Sequence, residues 1–115
     1  MLRFSSHEIG ILSGEALLVS DFDNNGPMWN EDGDRIARHY VAFSERFIAP
    51  PVVHLGISMW DADTGSNLRG DLRVEDITLN GFHIVFQTWS DTRIARMRVS
   101  WMAIGAVPDE QDFIL

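Results

Sequence analysis

The chain contains no cysteine. Disulfide staples and thiolate metal sites are excluded, and the redox compartment leaves no mark on the sequence. No apolar run approaches the ~18–20 residues that a membrane-spanning helix needs, so no membrane insertion is expected. The first residues, MLRFSSHE, hold no apolar signal core. Export, if it occurs, is expected to take another route, and the cellular location is left unread. Basic residues are few: 9 Lys and Arg against 17 Asp and Glu give a net charge of −8. Such a chain should repel nucleic acid and anionic membranes, because it lacks the basic footprint that phosphates require. Common catalytic signatures are missing too. His7, His39, His54 and His83 show no HExxH-like ligand spacing. There is no glycine-rich phosphate loop and no G-x-S-x-G elbow. No cofactor is implied. Repeats, linkers and low-complexity stretches are also absent.

What is present fits one globular domain spanning residues 1–115, with 45% hydrophobic residues. A chain of this size can bury roughly two-thirds of its unfolded surface, enough for one core. The dominant signal is apolar alternation. Val53, Leu55, Ile57 and Met59 share one face of 52–60; Phe82, Ile84 and Phe86 share one face of 82–89; Met97, Val99, Trp101 and Ala103 share one face of 94–105. A period of two predicts half-buried antiparallel strands. Further strands are expected near 9–13, 15–19 and 37–43, where Tyr40, Val41 and Phe43 favour a pleated surface over a helix. Pro50-Pro51 should start the 52–60 strand. Asn80-Gly81 between two apolar runs predicts a tight hairpin with positive φ at both residues, and SDTR (90–93) predicts the next turn. About six strands in ~100 residues make a small antiparallel β-sandwich. The opposite faces, with His54, Trp60, His83, Val85, Gln87, Trp89, Met102 and Ile104, are not cleanly polar. That leaves two readings: ordinary partial exposure, or packing against another subunit.

The stretch DFDNNGPMWNED (21–32) matches the first six positions of a calcium loop. Position seven is Pro27, position nine is Trp29, and position twelve is Asp32 instead of a bidentate Glu. An Asx-rich turn is the better expectation, and DADTG (61–65) is a fainter echo with the same explanation. Carboxylates suffice for a glycosidase pair, Asp32 with Asp91 or Glu75, but nothing in the spacing sets two of them at catalytic separation. A non-enzymatic binding or assembly module is the expectation for a chain of this length.

FSERFIAPPVVHLGIS, the triplet NLR, and NGFHIVFQTWSDTRIARMRVSWMAIG follow in an order and spacing, from about residue 27 to 105, that resembles the H-type lectin domain family of snail-agglutinin and discoidin type. The resemblance implies a six-stranded antiparallel β-sandwich assembled as a homotrimer. It implies a metal-free site for terminal galactose or N-acetylgalactosamine at the protomer boundary. It also carries over residue roles. Asn30, Asp32 and Arg69 would contact the glycan from one protomer, and Trp89 and Ser90 from its neighbour. Snail agglutinins have His where this chain has Ser90, and an aromatic where it has Ala95, beside Arg96. Both departures bear on sugar preference.

Elementary chemistry supports the same residues. A carboxylate such as Asp32 accepts from two hydroxyls at once. Arg69 offers a rigid fork of donors, Trp89 an apolar plate for a sugar's C–H face, and Ser90 both a donor and an acceptor. Each has a plainer alternative: a loop cap for Asp32, a structural ion pair for Arg69, packing for Trp89. A trimeric structural or surface-fibre module that keeps the fold without a ligand is the rival reading.

Overall fold

The computed structural model describes residues 1–5 and 8–109; His7 lies outside the described residues. Six strands form among them: β1 (Glu8–Val19), β2 (Arg35–Ala42), β3 (Val52–Ala62), β4 (Asp71–Glu75), β5 (Gly81–Thr88) and β6 (Ile94–Val107). Two short helical turns, α1 (Asp21–Asn24) and α2 (Pro27–Asn30), lie between β1 and β2. The strands make two antiparallel three-stranded sheets, β1-β6-β3 and β2-β5-β4. Their inner faces enclose Val41, Phe82, Ile84, Phe86, Met97 and Val99, each no more than 8% exposed. The period-two pattern of 82–86 and 97–103 predicts these inward positions directly.

Tertiary contacts redraw several expected boundaries. The strands expected at 9–13 and 15–19 are one continuous β1. Gly14 does not break it; a Cβ there would lie 2.8 Å from the Trp101 indole, so the glycine is where that ring packs. The connection from β4 to β5 is not a two-residue Asn-Gly turn. β4 stops at Glu75, Asp76 takes the left-handed conformation (φ 55°), and neither Asn80 nor Gly81 has positive φ. The N–H of Thr78 donates to the Gly81 carbonyl at 2.9 Å to close the loop. Gly81 is needed for space instead: a Cβ would sit 2.3 Å from the Val41 carbonyl oxygen. A register shift between Ile57 and Met59 flips the end of β3. Ile57 is left 48% exposed, while Trp60, expected to face away, meets Phe86 edge-on at 5.9 Å.

Phe43, Phe47, Phe82 and Trp101 pack ring on ring, with centroids 5.0–6.2 Å apart. Tertiary packing thus accounts for four residues of the family-like pattern. The outer faces of the two sheets differ. Val85 points outward from β5 yet is fully buried. It sits opposite Arg38 and Arg73 in the register, and both guanidiniums bind Glu75 at 3.0 and 2.8 Å. These contacts hold the Glu75 carboxyl below the usual range, with the Arg38 hydrogen bond the largest cause and Arg73 next. On the β1-β6-β3 sheet the outward face is mixed: Glu15 and Arg98 pair at 3.4 Å on one part of it, and exposed apolar residues group on another. Ile9, Ile11, Val52 and Met102 are 53, 63, 53 and 38% exposed.

Candidate functional site

One end of the sandwich is built from the 20–34 segment, the 63–70 loop and the five-residue turn 89–93. That turn carries the chain from β5 in one sheet to β6 in the other. Ser90 at its apex has φ 60°, a left-handed conformation that is uncommon outside glycine, Asn and Asp. The Ser90 carbonyl accepts from the Gly33 N–H at 2.8 Å and from Arg35 at 3.1 Å.

Arg35 is the centre of this end, although no motif in the sequence marks it. It is 6% exposed. Its guanidinium donates to the carbonyls of Gly33 (2.9 Å), Thr92 (2.6 Å), Met28 (3.3 Å) and Ser90 (3.1 Å). Among the described residues no carboxylate pairs with it. Carbonyl dipoles from two loops carry the buried charge instead. The sequence signal was its parity: Arg35 is in phase with Ala37 and Val41, which face the core.

The expected site residues hang from the same turn. Asp32, its side chain 66% exposed, accepts from Arg93 at 2.9 Å, and Arg93 also donates to the Trp29 carbonyl at 2.7 Å. Arg69, its side chain 35% exposed, donates to Asp91 at 2.9 Å. The backbone around Arg69 is clamped by two fully buried threonines. Thr88 donates to the Arg69 carbonyl; Thr92 accepts from the Arg69 N–H at 3.0 Å and donates to the Asn67 carbonyl. The triplet Asn67-Leu68-Arg69 and the run Thr88–Arg93 are therefore one structural unit, although the sequence separates them by about twenty residues. Burial raises the Asp91 carboxyl. Backbone N–H groups of Asn67 and Asp91, the Arg69 charge and the Asn67 amide outweigh that and hold it below the usual range.

Trp89 leaves the β5 strand, is 39% exposed, and has no aromatic partner among the described residues. Ser90 and Asn30 are exposed. The Asn30 N–H closes α2 onto the Gly26 carbonyl at 2.9 Å. Asp32, Arg69, Trp89 and Ser90 are thus gathered around one turn of a single chain, with Arg93, Asp91 and Arg35 as the supports the sequence did not disclose. The segment with the calcium-like pattern folds into α1 and α2. There the Asp21 carboxylate accepts from the Met28 N–H at 2.8 Å, so one of its oxygens is committed to holding the helical turns together. Among the described residues, no three His, Asp or Glu side chains converge as a metal site would need. No helix is long and apolar enough to cross a membrane among the same residues.

Residues 38–104 match the family model for the H-type lectin domain. The protein "ATP synthase subunits region ORF 7" of Fuscovulum blasticum is 48% identical over 113 residues, 98% of this chain and 97% of that one. Discoidin-2 of Dictyostelium discoideum is 29% identical over 73 residues, 63% of this chain; the match spans 28% of Discoidin-2. The solved structure of recombinant discoidin II from the same organism superposes with a TM-score of 0.75 at 23% identity, covering 91% of this chain and 40% of that one. The last comparison bears on the fold alone, and it agrees with the two three-stranded sheets.

Proposed function

The chain belongs to the H-type lectin domain family; from that premise we propose that it is a non-enzymatic carbohydrate-binding protein. Its site is the end of the sandwich around turn 89–93. The carrying observation is the arrangement of Asp32 and Arg69. Each is held by a single ion pair on a clamped backbone, with much of its side chain still open to solvent. Asp32 has a second carboxylate oxygen to offer sugar hydroxyls, and Arg69 has further N–H donors. Asn30 extends the rim, and a neighbouring protomer would bring Trp89 as an exposed apolar plate and Ser90 as an adaptable hydroxyl. A terminal galactose or N-acetylgalactosamine suits this set, because adjacent hydroxyls need directed acceptors and the C–H face needs an apolar surface.

The exposed apolar residues Ile9, Ile11, Val52 and Met102 support assembly into a homotrimer through the β1-β6-β3 sheet, since grouped exposed apolar side chains suit an interface. Trp89 and Ser90 of one protomer would then serve the site of the next. One shallow site binds a monosaccharide weakly. Three on a rigid body gain ~10²–10⁴ in avidity on a glycan-coated surface.

Neither Asp91 nor Glu75 suits the general-acid role of a glycosidase. Glycoside hydrolysis needs one carboxyl held protonated. Asp91 and Glu75 are both held below the usual carboxylate range.

The ion pairs Asp32–Arg93 and Arg69–Asp91 favour one rival: a trimeric structural module in which these side chains serve only the loops. A glycan array on the purified protein, with its solution mass, separates the two. Galactose-type binding by a trimer supports the lectin reading, and a blank on a trimer supports the structural one.

A further inference from the structure

The α1–α2 segment, the end of β3 and the start of β6 line a cleft of about 370 Å³; Asn30, Asp32, Arg69, Trp89 and Ser90 are not among its lining residues, while Ala95, where snail agglutinins have an aromatic, is. One wall is aromatic. Phe22, 56% exposed, stands edge-on against Trp29 with centroids 5.1 Å apart and planes at 78°. The other wall is charged. Arg96 donates through Nε and Nη2 to one oxygen of Asp61, at 3.2 and 3.0 Å. Asp23 lies at the rim, and small, buried Ala95 keeps the cleft open.

We propose that this cleft is a second saccharide subsite, taking a neutral pyranose ring linked to the one held at Asp32 and Arg69. The inference rests on the lectin reading and extends it to an oligosaccharide. Three observations carry it. The cleft has the volume of a small-ligand pocket, at the lower end of the usual ~300–1,000 Å³. Its two walls match the two faces of a sugar. Phe22 and Trp29 offer rings to C–H groups; Asp61 keeps one oxygen for hydroxyls, and Arg96 keeps Nη1. The cleft also adjoins the first site through a single side chain. The Arg93 guanidinium that holds Asp32 at 2.9 Å donates to the carbonyl of Trp29 at 2.7 Å. Two carboxylates against one already paired guanidinium disfavour an anionic ligand.

The test is calorimetry on the full chain with methyl galactoside and with galactose-terminated di- and trisaccharides of several linkages. In at least one linkage the second ring should strengthen binding about two- to tenfold, the worth of one aromatic contact. F22A should remove that gain and leave methyl galactoside binding unchanged. R96A, which spares the aromatic pair, should do the same. Variants that keep the gain overturn the subsite, as does a native protein for which no linkage improves on the monosaccharide; in both cases the first site stands. A native protein that binds no sugar at all overturns both readings.

Discussion

Arg69 reaches Asp91 at 2.9 Å across the gap between the 63–70 loop and the 89–93 turn. The pair joins the NLR triplet to the TWSDT run and fixes the direction of the guanidinium that the lectin reading assigns to a sugar.

That relationship carries a pH dependence. The Asp91 carboxyl is held below its usual range, so its contribution is present above the unfolded value of about 4 and is lost as pH falls through the lower folded value. D91N should therefore lie below the native protein in denaturation midpoint above pH ~4, and the gap should close on acidification. Urea unfolding at several pH values reads this out.

Arg35 should matter more for stability than any exposed ion pair. Removing it leaves the carbonyls of Thr92, Ser90, Gly33 and Met28 without its N–H donors. R35A is expected to cost at least ~3 kcal/mol, since hydrogen bonds to a charged group contribute ~1.5–3 kcal/mol each. R35K should recover only part of that, because lysine lacks the fork. Chemical denaturation gives the ordering.

Gly81 and Asn80 separate two explanations of the β4–β5 loop. If space decides, G81A should destabilise by ~1–3 kcal/mol, because its Cβ meets the Val41 carbonyl. N80A should stay within about ±0.5 kcal/mol, as expected of an exposed side chain without a special φ. A large N80A effect would restore the tight-turn explanation.

Asp32 tests the primary site. D32A should abolish glycan-array signal while circular dichroism and solution mass stay unchanged. EDTA should leave native binding intact. Loss of signal with EDTA would bring back a metal-dependent site in the 21–32 segment.

Ile11 tests assembly. A charge among the exposed apolar residues of the β1-β6-β3 sheet opposes their burial, so I11E should reduce the solution mass from trimer to monomer in light scattering. Monosaccharide binding should fall with it, because Trp89 and Ser90 would lose the neighbour whose site they complete.

Much of this molecule was legible from residue order. Alternation at 82–86 and 97–103 specified which side chains face the core, because a strand's side-chain period is fixed by its backbone. The family resemblance as a whole pointed to Asn30, Asp32, Arg69, Trp89 and Ser90 as glycan contacts, and the fold brings Asp32, Arg69, Trp89 and Ser90 to one end of the sandwich. Other features depend on contacts between distant segments. The bulge that turns Trp60 onto Phe86, the Trp101 ring that fills the space over Gly14, and the Val41 carbonyl that requires Gly81 have no local signature. Arg35 reads as one more polar residue until two loops bring their carbonyls around it. The sequence by itself determined the all-β pattern, because a strand's side-chain period follows from its backbone. Only the tertiary structure decided which carboxylate meets which guanidinium and where a cleft remains, because those depend on residues far apart in the chain meeting in space.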